Sequence, residues 1–102
     1  MQRFIIERDI PNVGASDAIF FRNASKKSNE VLKQLGTDIQ WVESYVSGDK
    51  LFCVYLSANE DLIRKHSEMS GFPATRIHKV EMKIDPTTAR STVGAVPLGH
   101  TP

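Results

Sequence analysis

The feature that most constrains this chain is the order in which strand-like and helix-like segments alternate along it. Residues 3 to 8 set Phe4, Ile5 and Ile6 among charged neighbours, and Ile10-Pro11-Asn12-Val13-Gly14 then supplies the proline and glycine that end an element. From Ser16 to Leu35 the apolar residues Ile19, Phe20, Ala24, Val31, Leu32 and Leu35 recur at helical intervals, which predicts a helix with Ser16 as its N-cap and Gly36 as its stop. Residues 39 to 46 and 51 to 57 are rich in aromatic and β-branched types. Ser47-Gly48-Asp49-Lys50 between them has turn composition, so the two runs predict an antiparallel hairpin. Ser57 with Glu60 fits a capping box, and Leu62, Ile63, His66 and Met69 keep helical spacing until Gly71-Phe72-Pro73 ends it. Residues 76 to 84 alternate Val80, Met82 and Ile84 with Lys79, Glu81 and Lys83, the period of a half-buried strand.

The order β-α-β-β-α-β predicts an α+β domain of the ferredoxin-like kind. Four antiparallel strands form one sheet with both helices on one face, because each split βαβ crossover is right-handed. Residues 1 to 86 are expected to form this domain, and 87 to 102, rich in Thr, Gly and Pro, a tail that is flexible or ordered by a partner. Alternation assigns Phe4, Ile6, Val42, Val46, Phe52, Val54, Leu56, Val80, Met82 and Ile84 to the core. It assigns Ile5, Glu7, Trp41, Glu43, Tyr45, Cys53, Tyr55 and Lys79 to the open face. A hairpin closed by residues 47 to 50 pairs residues whose numbers add to about 97. Keeping Val42 and Val46 in the core favours an odd-with-odd register instead, which sets Glu43 opposite Cys53 or Tyr55.

An open sheet face carrying large aromatics predicts a homodimer, a dimeric α/β barrel whose two sheets enclose a partly polar cavity. Charge points away from other partners. Lys plus Arg total 13 against 12 Asp plus Glu, so no broad field draws nucleic acid or anionic lipid. The longest apolar run, Leu51 to Leu56, is far short of the roughly 20 residues of a membrane span. Charged residues also interrupt any secretory leader at the N-terminus, so a cytoplasmic location is expected.

Three segments resemble the bacterial family called domain of unknown function 4242. They are Glu7-Arg8-Asp9-Ile10-Pro11, then Ile39 to Val46 with Asp49-Lys50 and Cys53-Val54-Tyr55, and finally Gly71-Phe72-Pro73-Ala74 with Ile84-Asp85-Pro86-Thr87-Thr88. The resemblance covers roughly residues 3 to 89 on the scale of one domain. It implies a ferredoxin-like dimer and, through a nickel-binding relative, nickel or another divalent transition metal as cofactor. Many members carry histidine where Glu43 stands, and a carboxylate there suits harder ions.

Candidate metal ligands are Glu43, Cys53 and His66, and the candidate ligand pocket is Glu7, Trp41, Tyr45 and Tyr55. Each also has a plainer role. Cys53, the sole cysteine, reads as a small packed hydrophobe in mid-strand, and His66 as a packed or surface histidine near a helix end. Glu7 reads as the partner of Lys79 or Arg8 in a salt bridge, and the aromatics as interface packing. No phosphate loop, His-Glu-x-x-His, Cys-x-x-Cys or nucleophile elbow occurs, and no catalytic residue is assigned. The leading function is a non-catalytic binding protein that takes a metal or small ligand in the dimer cavity. The alternatives are a small dimeric barrel enzyme of monooxygenase or isomerase type and a regulatory dimer without ligand.

Overall fold

The computed structural model describes residues 1–90. Strand β1 (Gln2–Asp9) leads through a short 3-10 turn (Val13–Ala15) into helix α1 (Ala18–Leu35). Strands β2 (Ile39–Ser47) and β3 (Lys50–Ser57), helix α2 (Glu60–Ser70), strand β4 (Arg76–Lys79) and a 3-10 turn (Pro86–Arg90) follow. The sheet order is β2-β3-β1-β4 with every neighbouring pair antiparallel, the predicted ferredoxin-like α+β arrangement. Ile63 of α2 with Leu32 and Leu35 of α1 packs against Phe4 and Ile6 of β1 and Ile39 of β2, so both helices cover one face.

The helix ends are set one or two residues from the predicted caps. Asp17, not Ser16, caps α1 by accepting from Phe20 N at 2.9 Å, and Asn59, not Ser57, caps α2 by accepting from Leu62 N at 2.9 Å. Ser57 is buried and donates to the Asn59 carbonyl at 2.7 Å. Gly36 and Gly71 close the helices at φ 92 and 81, where a side chain would be strained.

The facing of β3 is the main correction. Phe4 stands opposite Tyr55 and Ile6 opposite Cys53, so Cys53 and Tyr55 lie buried under the helices. Phe52, Val54 and Leu56, expected in the core, are half-buried on the open face. Both residue sets of β3 are apolar, so alternation does not choose between them; the hairpin does. Ser47 pairs with Lys50 across Gly48-Asp49, and the pairing sum of 97 runs up to Glu43 opposite Val54. A bulge at Val42 then shifts the register, so that Trp41 faces Tyr55. The bulge puts Trp41 and Ser44 on the same side of the sheet, and Trp41 Nε1 donates to Ser44 Oγ at 2.9 Å. Val42 and Val46, expected in the core, are left 45% and 46% exposed.

Strand β4 is shorter than its alternation suggests. Lys79 faces Phe4 and Val80 N donates to Arg3 O at 2.8 Å, after which β1 has nearly run out of partners. Met82 and Ile84 are therefore 60% and 70% exposed instead of core, Val80 lies outside the strand, and Lys79 sits on the helical side. Of the expected tail, residues 87 to 90 belong to the last 3-10 turn, whose start is fixed by Thr87 N donating to Asp85 Oδ1 at 2.9 Å. Residues 91 to 102 lie outside the described part.

Candidate functional site

Period two along β1 puts Phe4, Ile6 and Arg8 on the same side, so the register that buries two apolar side chains also carries a guanidinium under the helices. Arg8 is 1% exposed. Its Nη1 donates to Ser67 Oγ at 3.0 Å, Phe72 O at 3.3 Å and Pro73 O at 3.1 Å, all neutral acceptors. Its Nη2 is buried and, among the described residues, without a partner. The guanidinium lies 6.0 Å from the Tyr55 ring centroid and 5.9 Å from that of Phe72, within cation–π range.

Beside Arg8 a cavity of about 480 Å³ opens between the first half of α1 and the sheet. Phe20, Phe21, Ala24 and Ser28 line it from α1; Trp41, Ser44 and Val46 from β2; Leu51, Cys53 and Tyr55 from β3; and Gly71 to Pro73 close one end. The loop after β1 forms part of its mouth and is docked on the hairpin. Ile10 N donates to Asp49 O at 2.9 Å, and Gly14 N to Gly48 O at 2.7 Å. A Cβ on Gly14 would meet Gly48 backbone atoms at 2.9 Å, so only glycine fits this approach.

His66 of α2 lies behind the cavity wall, 1% exposed, with Nε2 3.0 Å from Ser28 Oγ and Nδ1 unpartnered. Burial first and the Arg8 charge second push its pKa down to about 4, so the imidazole is neutral. Burial likewise raises the Tyr55 phenol. Cys53 and His66 thus share the helical side of the sheet, but neither imidazole nitrogen reaches the thiol: one bonds to Ser28 and the other has no partner.

The opposite face carries the remaining candidates. Glu7 meets His78 Nε2 at 2.8 Å, Arg76 at 3.1 Å and Lys50 at 3.7 Å, in place of the expected Lys79 or Arg8. The hydrogen bond from His78 is the largest cause holding its carboxyl below the ordinary range. Tyr45 donates to Glu43, a contact that raises the phenol's pKa.

The candidate pocket residues are therefore split by the sheet. Trp41 and Tyr55 line the cavity under α1, while Glu7 and Tyr45 lie on the open face. The candidate metal ligands are split in the same way, Glu43 on the open face and Cys53 and His66 beneath the helices. Among the described residues no three of His, Cys, Asp and Glu are grouped to hold a metal ion. This donor set does not fit a nickel ion within one chain, and the Arg8 cation next to Cys53 and His66 opposes one there. Arg8 itself is the residue sequence reading passed over, although its parity with Phe4 and Ile6 was a sufficient signal.

The sequence model of a family described as nickel responsive protein SCO4226-like matches residues 4–80. The crystal structure of SCO4226 from Streptomyces coelicolor A3(2) is similar in fold, with a TM-score of 0.68 at 13% identity over 80% of this chain and 99% of that one. No curated protein matches the chain. Among the described residues no helix is long and apolar enough to cross a membrane.

Proposed function

The chain belongs to the family of nickel responsive SCO4226-like proteins, and on that premise we propose that it is a small non-catalytic binding protein, working as a cytoplasmic homodimer, whose cavity under α1 takes up a small ligand. The observation that carries this reading is the cavity itself. At about 480 Å³ it lies within the span of ligand pockets, and aromatic and aliphatic side chains with a few polar groups line it. The half-buried Phe52, Val54 and Leu56 and the exposed Tyr45 support pairing of two open sheet faces.

Filling the cavity tests the reading. Ala24 faces it from α1, and Ala24→Phe is expected to weaken uptake of an apolar dye such as naphthalene-based fluorophores at least tenfold, with circular dichroism unchanged. Equal uptake by the folded variant overturns it.

A second reading concerns nickel. Glu7 and His78 form a histidine–carboxylate pair on the open face, and a twofold axis across that face would bring two such pairs, four donors, toward one ion. Such an ion displaces Arg76 and Lys50 from Glu7. Nickel uptake is then coupled to dimerisation and lost in His78→Ala; uptake by a monomer, or by the variant, removes this reading.

A further inference from the structure

Among the described residues, the cavity's one buried charge is a cation without a counter-ion. No Asp or Glu of the described residues pairs with Arg8. Asp9, which also borders the cavity, is engaged by Lys50 at 2.7 Å, and His66 is neutral. Three neutral oxygens hold Nη1 and fix the guanidinium in place, while Nη2 of this cavity-lining residue stays buried and, among the described residues, unpartnered. A buried charge in apolar surroundings is costly unless an opposite charge meets it, and with the Nη1 hydrogens committed, Nη2 is the terminal nitrogen left to donate a charge-assisted hydrogen bond to a carboxylate. The cavity walls are largely apolar: Phe20, Phe21, Trp41, Leu51 and Phe72.

We infer that the cavity binds a small organic carboxylate, an anionic head on Arg8 and an apolar, preferably aromatic, body among Phe20, Phe21 and Trp41. The family description names nickel and assigns no such ligand. The inference rests on the reading of the cavity as a ligand site, and adds the sign of the ligand's charge and its chemical class. Tyr55, under the guanidinium, supports the arginine's position, and Ser28 and Ser44 offer hydroxyls along the body's path.

The test compares naphthoate with its neutral isostere naphthamide by calorimetry on the full chain, in buffer free of other carboxylates. Naphthoate is expected to bind at least tenfold more tightly, because only the carboxylate supplies the missing charge. Arg8→Met, checked for folding by circular dichroism, is expected to bring the two affinities together, and Arg8→Lys to keep part of the preference. If the amide binds as well as the acid, the inference fails and the cavity reading stands. Should neither bind while the neutral dye does, the anion preference is likewise overturned. If neither probe nor dye binds, both the inference and the cavity reading fall.

Discussion

Nε2 of His66 stands 3.0 Å from the hydroxyl of Ser28, so a buried neutral imidazole of α2 is tied to α1 at the back of the cavity. Protonating it puts a second cation near Arg8, which no carboxylate of the described residues pairs. Stability should follow this. The folded-state pKa of about 4 lies below the ordinary 6.5, so the unfolded chain takes up the proton first as pH falls. The stability contributed by neutral His66 is whole above 6.5 and lost between 6.5 and about 4, in all about 3 kcal/mol. Glu7 and Asp9 act lower, since their folded pKa values lie below 4.5 and 3.8 and their contribution is lost as pH falls through those lowered values. Urea unfolding at pH 7 and pH 5 measures the first window, and a flat profile there contradicts the burial of a neutral imidazole.

Tyr55→Ala and Val54→Asp separate the two faces. Tyr55 is 2% exposed between Phe4 and the helices, so its truncation should cost about 3 to 5 kcal/mol. Val54 lies half-buried on the open face, and Val54→Asp should leave a folded chain that no longer dimerises. Thermal unfolding together with light scattering reads both outcomes. The reverse ranking would mean that β3 is turned over.

Gly14→Ala should destabilise by about 1 to 3 kcal/mol, because the new Cβ meets the Gly48 backbone, which has no flexible end to move aside. Denaturant midpoints check this. A neutral result would show that the loop after β1 is not held on the hairpin.

Cys53→Ala should leave any nickel uptake unchanged. The thiol is 3% exposed under the helices and, among the described residues, shares no three-donor group with other ligand types. Metal analysis of wild type and variant after identical loading makes the comparison. Metal lost with the thiol would return Cys53 to the ligand set.

How much of this was legible in the sequence differs from element to element. The order of elements, the stops at Gly36 and Gly71 and the turn at Gly48-Asp49 rest on local chemistry: periodicity, left-handed glycines and a two-residue loop. These features need no distant neighbour, so sequence reading reached them. The caps moved by a residue or two because Asp17 competes with Ser16, and Asn59 with Ser57, on nearly equal terms.

The candidate site was not legible in the same way. In β3 both faces are apolar, and the choice between Cys53 and Val54 for the core was made by pairing with Phe4 and Ile6 and by the bulge at Val42. β4 stopped at Lys79 because β1 had almost no partners left, a fact of register that Val80, Met82 and Ile84 do not carry in themselves. The chain alone thus determined the ferredoxin-like order and the side of the sheet on which Arg8 lies. Only tertiary structure decided that Arg8 has no counter-ion among the described residues, that Cys53 and Glu43 lie on opposite faces, and that α1 leaves a cavity above Tyr55. Those are relations between segments far apart in sequence, and packing sets them where local preference is indifferent.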